Sequence, residues 1–351
     1  MGMTTQIYAK TRVAVMAAER LLADPELESL LQAPLPQVLE TFGLTAAGEE
    51  GMAERVFNRT VERVFIRLLM QEHATLLLPF AGPQRDVLVY WSRKFVFFNL
   101  KALIRGKINE MAEVQIADQL HELPRRMQLP HEELLRADNP SELLRRLEQG
   151  PYQEIARQAR KVYEEKNEPF SLDAAIDRLY YAGLLKHVFT TDADEQRPLL
   201  EFLGVLLDHQ NLLWLLRYRF VYGLPPSETY YLLVPNGRLL GRHTLMQLVE
   251  QGSFEEVIAA LPGSLGRWLE DDDNSPSRVE RALERRAVSE ARHVLRRSPS
   301  AASRALAYLT LREIDLRRIF AIVQGKVLGL DAATLRFAVG QELPEERRLW
   351  A

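Results

Sequence analysis

A histidine beside a carboxylate is the pair best suited to moving protons near neutral pH, and Asp208-His209, inside a motif helix, is the pair that most invites a catalytic reading. On a helix adjacent residues diverge by about 100°, so these two side chains do not share a target and His209 is given no catalytic role. His121-Glu122 and His131-Glu132-Glu133 lack the second histidine four positions on that a zinc-binding helix requires. Gly106-Lys107 and Gly325-Lys326 have no glycine-rich loop before them, so neither cradles a phosphate. Ser264, in GSLG, lacks nucleophile-elbow spacing. Residues 270–274, EDDDN, are acidic enough for calcium. However, Pro276 stands where the loop needs glycine and Ala282 where it needs a bidentate glutamate, so they read as a solvated acidic loop. Cysteine is absent, which removes disulfides, thiolates and zinc-cysteine sites together. The sequence therefore predicts no catalytic, cofactor-binding or metal-ligating residues and no small-molecule substrate.

Charge points the same way. Lysine and arginine number 45 against 48 aspartates and glutamates, a net charge of −3 that exerts no global pull on nucleic acid or anionic lipid. The pairs Arg285-Arg286, Arg296-Arg297 and Arg317-Arg318 have acidic neighbours on the same helices and no interleaved aromatics, the pattern of intrahelical pairing rather than of a nucleic-acid surface. Residues 199–207 are apolar but are interrupted by Glu201 and end at Asp208, short of the roughly 18 residues a membrane helix needs. With no signal-peptide core at the start of the chain and no cysteine, the expected location is cytoplasmic.

The elements that must carry these residues are helices. Leucine, alanine, arginine and glutamate dominate the 351 residues, and alternation at period two is nearly absent, so the fold class is all-α. A first helix is expected over residues 5–22, followed by a second with Asp24 as its cap and Pro25 in its first turn. The one segment that reads as extended, a short strand or loop, is 229–234, TYYLLV, bounded by Pro225-Pro226 and Pro235-Asn236-Gly237.

Three patterns recur in the same order. Asn99-Leu100 with Leu103 and Ile104, Asn211-Leu212 with Leu215 and Leu216, and Asp315-Leu316 with Ile319 and Phe320 each form an apolar stripe at helical spacing and close at Gly106, Gly223 and Gly325. LEQGPYQEI at 147–155 matches VEQGSFEEV at 249–257, with a weaker counterpart at 30–38. VERVF at 61–65 matches IDRLY at 176–180 and VERAL at 279–283. Asn99 and Asn211 are 112 residues apart, and Asn211 and Asp315 are 104 apart; the companion patterns keep nearly the same steps. A period above 100 residues means repeated domains, not a solenoid of short repeats. Three similar helical domains are accordingly predicted, at 1–120, 121–226 and 227–351. Proline-rich junctions at 123–140 and 224–235 follow the first two motif helices.

Within the motif, Asn99, Asn211 and Asp315 are short polar side chains among apolar positions, able to bond a neighbouring helix or a loop backbone, or else to line a surface shared by the three copies. Arg105 and Arg217 each lie six residues after their asparagine, while copy three has Ala321.

Four segments in order resemble one family: Tyr8-Ala9-Lys10-Thr11-Arg12-Val13 with Leu21-Leu22; Asn99 to Gly106; Asp208 and Asn211-Leu212 to Arg217; and Leu311-Arg312-Glu313-Ile314-Asp315-Leu316-Arg317. The chain resembles the C-type stalk component of the archaeal and bacterial V/A-type rotary ATPases, whose eukaryotic counterpart is the d component of the V-ATPase. That resemblance implies three helical bundles around a pseudo-threefold axis in a funnel-shaped body. It implies a non-catalytic monomer in the central stalk of a larger complex, peripheral to the cytoplasmic face of the membrane and carrying no cofactor. Its partners would be the central-shaft proteins D and F and the proteolipid ring. Asp315 stands where the family usually has asparagine. The other reading is a soluble helical scaffold that binds a coiled-coil partner or nucleic acid through arginine-rich faces.

Overall fold

Helix propensity is realised almost everywhere in the computed structural model, which describes residues 3–45, 54–166, 168–269 and 275–340. In chain order the helices are α1 Met3–Arg20, α2 Asp24–Gln32, α3 Leu35–Thr41, α4 Glu54–Leu76, α5 Gly82–Ile108 and α6 Glu113–Asp118. Then come α7 His131–Leu135, α8 Pro140–Leu147, α9 Gln153–Lys166, α10 Pro169–Val188, α11 Ala193–Leu216 and α12 Pro226–Leu232. The chain continues through α13 Arg242–Val249, α14 Phe254–Ala259, α15 Gly263–Gly266, α16 Pro276–Arg297, α17 Ala301–Val327 and α18 Ala332–Ala338. Among the described residues there is no strand, only an isolated bridge between Asn236 and Gly241.

Two compact units divide the chain. Unit 1 joins Met1–Pro79 to Ala291–Ala351, and unit 2 is Phe80–Glu290. In unit 1 the central helix is α17, against which α1, α3, α4 and α18 pack. It begins at Ser300, whose hydroxyl accepts the Ser303 amide at 2.9 Å and so satisfies one of the unpaired first-turn donors. Its first turns, AASRALA, bury Ala301, Ala302, Ala305 and Ala307, letting neighbours approach closely around the fully buried Tyr308. In unit 2 the main seam is α5 against α10, with α9 and α11 also on α10. Because α5 buries Val87, Leu88, Trp91, Phe97, Leu100 and Leu103, it is apolar around most of its circumference, as a central helix should be. Each such side chain contributes about 1.5–3 kcal/mol of burial.

The segment expected to be extended is helical. Residues 226–232 form α12, and of the expected segment only Leu233, whose backbone is extended, and Val234 lie outside the helix. The prolines that suggested a strand boundary instead start the helix: Pro226 occupies its first turn, where no N–H is needed and φ is already helical. The first helix ends at Arg20 rather than residue 22. Asp24 is the first residue of α2, not its cap, and the Glu26 carboxylate accepts the Ala23 amide at 2.8 Å. The acidic stretch 270–274 lies outside the described residues.

By length and hydropathy the helical stretch Ala193–Val221 meets the criterion for a membrane span, a property its broken apolar run did not suggest. Two-thirds of its most apolar 18-residue window is buried inside the protein, with Asp208 in its midst wholly enclosed, so it serves as a core helix.

Candidate functional site

The three motif helices place their short polar residues on backbone. In α5, Asn99 is fully buried; its Nδ2 donates to the His121 carbonyl at 2.9 Å and its Oδ1 accepts the His121 amide at 2.7 Å. In α11, Asn211 does the same for Val234, at 2.7 Å to the carbonyl and 2.9 Å from the amide. One side-chain amide thus satisfies both polar groups of one residue, as a neighbouring strand would. In α17, Asp315 accepts the Leu22 amide at 2.9 Å, and having no N–H it offers nothing to a carbonyl. Burial pushes the Asp315 carboxyl up to about 6, opposed by the Leu22 amide and by Arg318, Arg312 and Arg292.

A cation farther along each helix holds a second point. Lys107 donates to the carbonyl of Leu135, the last residue of α7. Arg219 donates to Val249 at 2.8 Å and Gln251 at 3.2 Å, closing the end of α13, and to Leu224 at 2.8 Å. Lys326 donates to Leu31 at 2.8 Å and Ala33 at 2.5 Å, closing the end of α2. Carbonyls at a helix C-terminus have no partner of their own, and a cation there also meets the negative end of the dipole.

Each motif helix is therefore a two-point clamp on a helical segment. In copies one and two that segment follows in sequence; in copy three it is the start of the chain, residues 22–33. The helix ends agree as well. Gly106 and Gly325 allow Ile116 of α6 and Leu335 of α18 to pack where a Cβ would overlap their side-chain carbons. Four residues beyond each, Glu110 and Gly329 turn the chain with positive φ. Copy two ends differently, in a π-turn at Arg217–Val221 that stops at Gly223, also with positive φ.

Asp208 is committed to structure. Its carboxylate accepts the Leu239 and Leu240 amides at 3.0 and 2.8 Å and pairs with Arg286 at 3.0 Å. In copy three the residue at that place is Arg312, which is buried and bound to Glu72 by contacts of 3.0–3.1 Å. Tyr308 adds a 2.6 Å hydrogen bond to the same carboxylate, and burial together with that bond drives its hydroxyl pKa upward.

The arginines grouped with the motif lie elsewhere. Arg105 is half-exposed, pairing with Asp173 at 3.5 Å, and Arg217 is exposed. Sequence reasoning missed Lys107, Arg219 and Lys326 as a set, although the matched Gly-Lys pairs at 106–107 and 325–326 were the signal. Among the described residues no three histidines, aspartates or glutamates converge as metal ligands.

The chain matches the family model described as ATP synthase (C/AC39) subunit across residues 9–337. Among curated proteins it is similar to the C subunit of the A-type ATP synthase of Methanocaldococcus jannaschii, 24% identical over 72% of this chain and 64% of that one. The protein of the same name from Methanothermobacter thermautotrophicus is 25% identical over 56% of this chain and 52% of its own length. That from Pyrococcus horikoshii is 28% identical over 42% and 41%. The matched stretches thus span about two-fifths to two-thirds of these relatives' lengths.

Proposed function

The chain belongs to the ATP synthase (C/AC39) subunit family, and from that premise we propose that it is a non-catalytic central-stalk component that couples a rotating shaft to a membrane proteolipid ring. In this reading three similar bundles surround a pseudo-threefold axis, the shaft proteins D and F enter the central hollow, and the opposite end rests on the cytoplasmic face of the ring. The chain is then peripheral to the membrane and turns no substrate over itself.

The observation that carries the proposal is the thrice-repeated clamp. Torque transmission needs bodies that resist shear, and pinning loop backbone with buried side chains removes the soft joints between short helices. A second feature supports it: exposed apolar residues follow each motif helix shortly in the chain. These are Val114 after α5, Val221 and Tyr222 after α11, and Leu328 and Leu330 after α17. We assign these ends to the ring, where short proteolipid loops and headgroups favour apolar contact, and expect a more polar wall around the shaft.

Affinity purification of the tagged chain from mildly solubilised native membranes tests the reading. Recovery of the proteolipid ring and the shaft proteins is expected. Recovery of nucleic acid alone, lost as salt is raised, contradicts the proposal and favours the scaffold reading.

A further inference from the structure

Unit 2 carries a groove of about 380 Å³ that the clamps and the proposed coupling role leave unused. One wall is the outer face of α10 with the capping residue at its end, where Arg178, Ala182, Leu185, Lys186 and Phe189 follow one another at helical spacing. The other wall is the extended turn after α12, from Leu233 to Asn236. That wall is held in place by Asn211, which bonds both polar groups of Val234, so an occupant meets a preorganised surface. Arg178, Lys186 and Phe189 are exposed, Phe189 by 54%. An exposed aromatic beside two exposed cations and an aliphatic floor is the composition of a contact surface rather than of a solvated helix face.

Charge and spacing select the occupant. Arg178 and Lys186 stand eight residues apart, about 12 Å along the helix axis, with the apolar residues between them. A partner that satisfies both cations and also covers Ala182, Leu185 and Phe189 needs two carboxylates about two helical turns apart, flanking apolar side chains on the same face. We propose that this groove docks an amphipathic acidic helix of a partner protein, with acidic residues at i and i+7 and apolar residues at i+3 and i+4. The helix lies along α10 by groove packing. This assignment uses the Asn211 clamp only as the support of one wall and does not rest on the coupling role.

The probe is a fluorescein-labelled synthetic helix with glutamates at peptide positions four and eleven and leucines at seven and eight, titrated with the full chain by fluorescence anisotropy. Saturable binding is expected. The pair Arg178→Glu and Lys186→Glu should weaken it about tenfold or more, and Phe189→Ala about fivefold. Because these side chains are exposed, thermal melts of the variants should overlay that of the parent. The control pair Arg157→Glu and Lys161→Glu, on exposed positions of α9, should leave binding unchanged. No saturable binding up to about 1 mM overturns the proposal. So does equal binding of the same helix with lysines replacing the glutamates, or equal weakening by the α9 control. Recruitment of the chain to phosphatidylglycerol vesicles that is lost in the Arg178 and Lys186 variant, without peptide binding, assigns the groove to lipid and also overturns it.

Discussion

Unit 2 pins its two segments with neutral amides, whereas unit 1 pins the start of the chain with a carboxylate. Asn99 and Asn211 each satisfy a donor and an acceptor on one buried residue and carry no charge into the core. Asp315 meets only the donor, and its charge is disfavoured by the same burial that makes the site firm. Around it unit 1 gathers Arg312, Arg318 and Arg292, and Arg312 in turn is tied to Glu72, so one anion has drawn in a polar network. A single atom type, oxygen for nitrogen, separates a clamp that is indifferent to pH from one whose carboxyl burial pushes up to about 6.

The comparison breaks most visibly at the network. Arg312→Met should cost about 3–5 kcal/mol, read as a lowered denaturant midpoint, because Glu72 is left charged and buried; adding Glu72→Met should recover most of the loss. In unit 2, Asn211→Asp should cost about 2–4 kcal/mol at pH 8, since it strands the Val234 carbonyl and buries a charge. Its effect should shrink toward pH 4.

The reciprocal change sharpens the contrast. The folded-state pKa of Asp315 lies above its ordinary 3.8, so the native chain binds that proton more tightly than the unfolded one. The stability it contributes is present below pH 4 and is lost as pH rises through about 6. Asp315→Asn should therefore stabilise by about 1–3 kcal/mol at pH 8 and by much less at pH 4, measured as a difference in melting between variant and parent. Smallest of all, Lys326→Met and Lys107→Met should each cost about 1 kcal/mol, with amide exchange accelerating at the ends of α2 and α7 respectively.

The helical class and the recurrence of the motif were legible because apolar spacing is a local signal. So was the asparagine, as a short polar residue amid leucines. What it binds was not legible for copy three, since Leu22 lies 293 positions away and precedes its partner in the chain. Arg105 and Arg217 were grouped with the asparagines on spacing alone. Six residues carry a side chain about 240° around a helix, away from the clamp, whereas eight carry it about 80°, where Lys107 and Arg219 stand. At 229–234 the TYYLLV run between prolines argued for a strand or loop, and the extended Leu233 at its end shows how near the two outcomes lay; Pro226 at the first turn decided for helix.

The chain has no cysteine, so single introduced cysteines give unambiguous cross-linking sites. Placing one in turn at Val114, Val221 and Leu328, beyond the ends of α5, α11 and α17, and coupling each to a short photoreactive probe in native membranes tests the coupling role most directly. The account predicts proteolipid adducts from all three positions and none from Arg157→Cys on the exposed face of α9. Absence of proteolipid adducts from all three, in membranes that retain the chain, would contradict it.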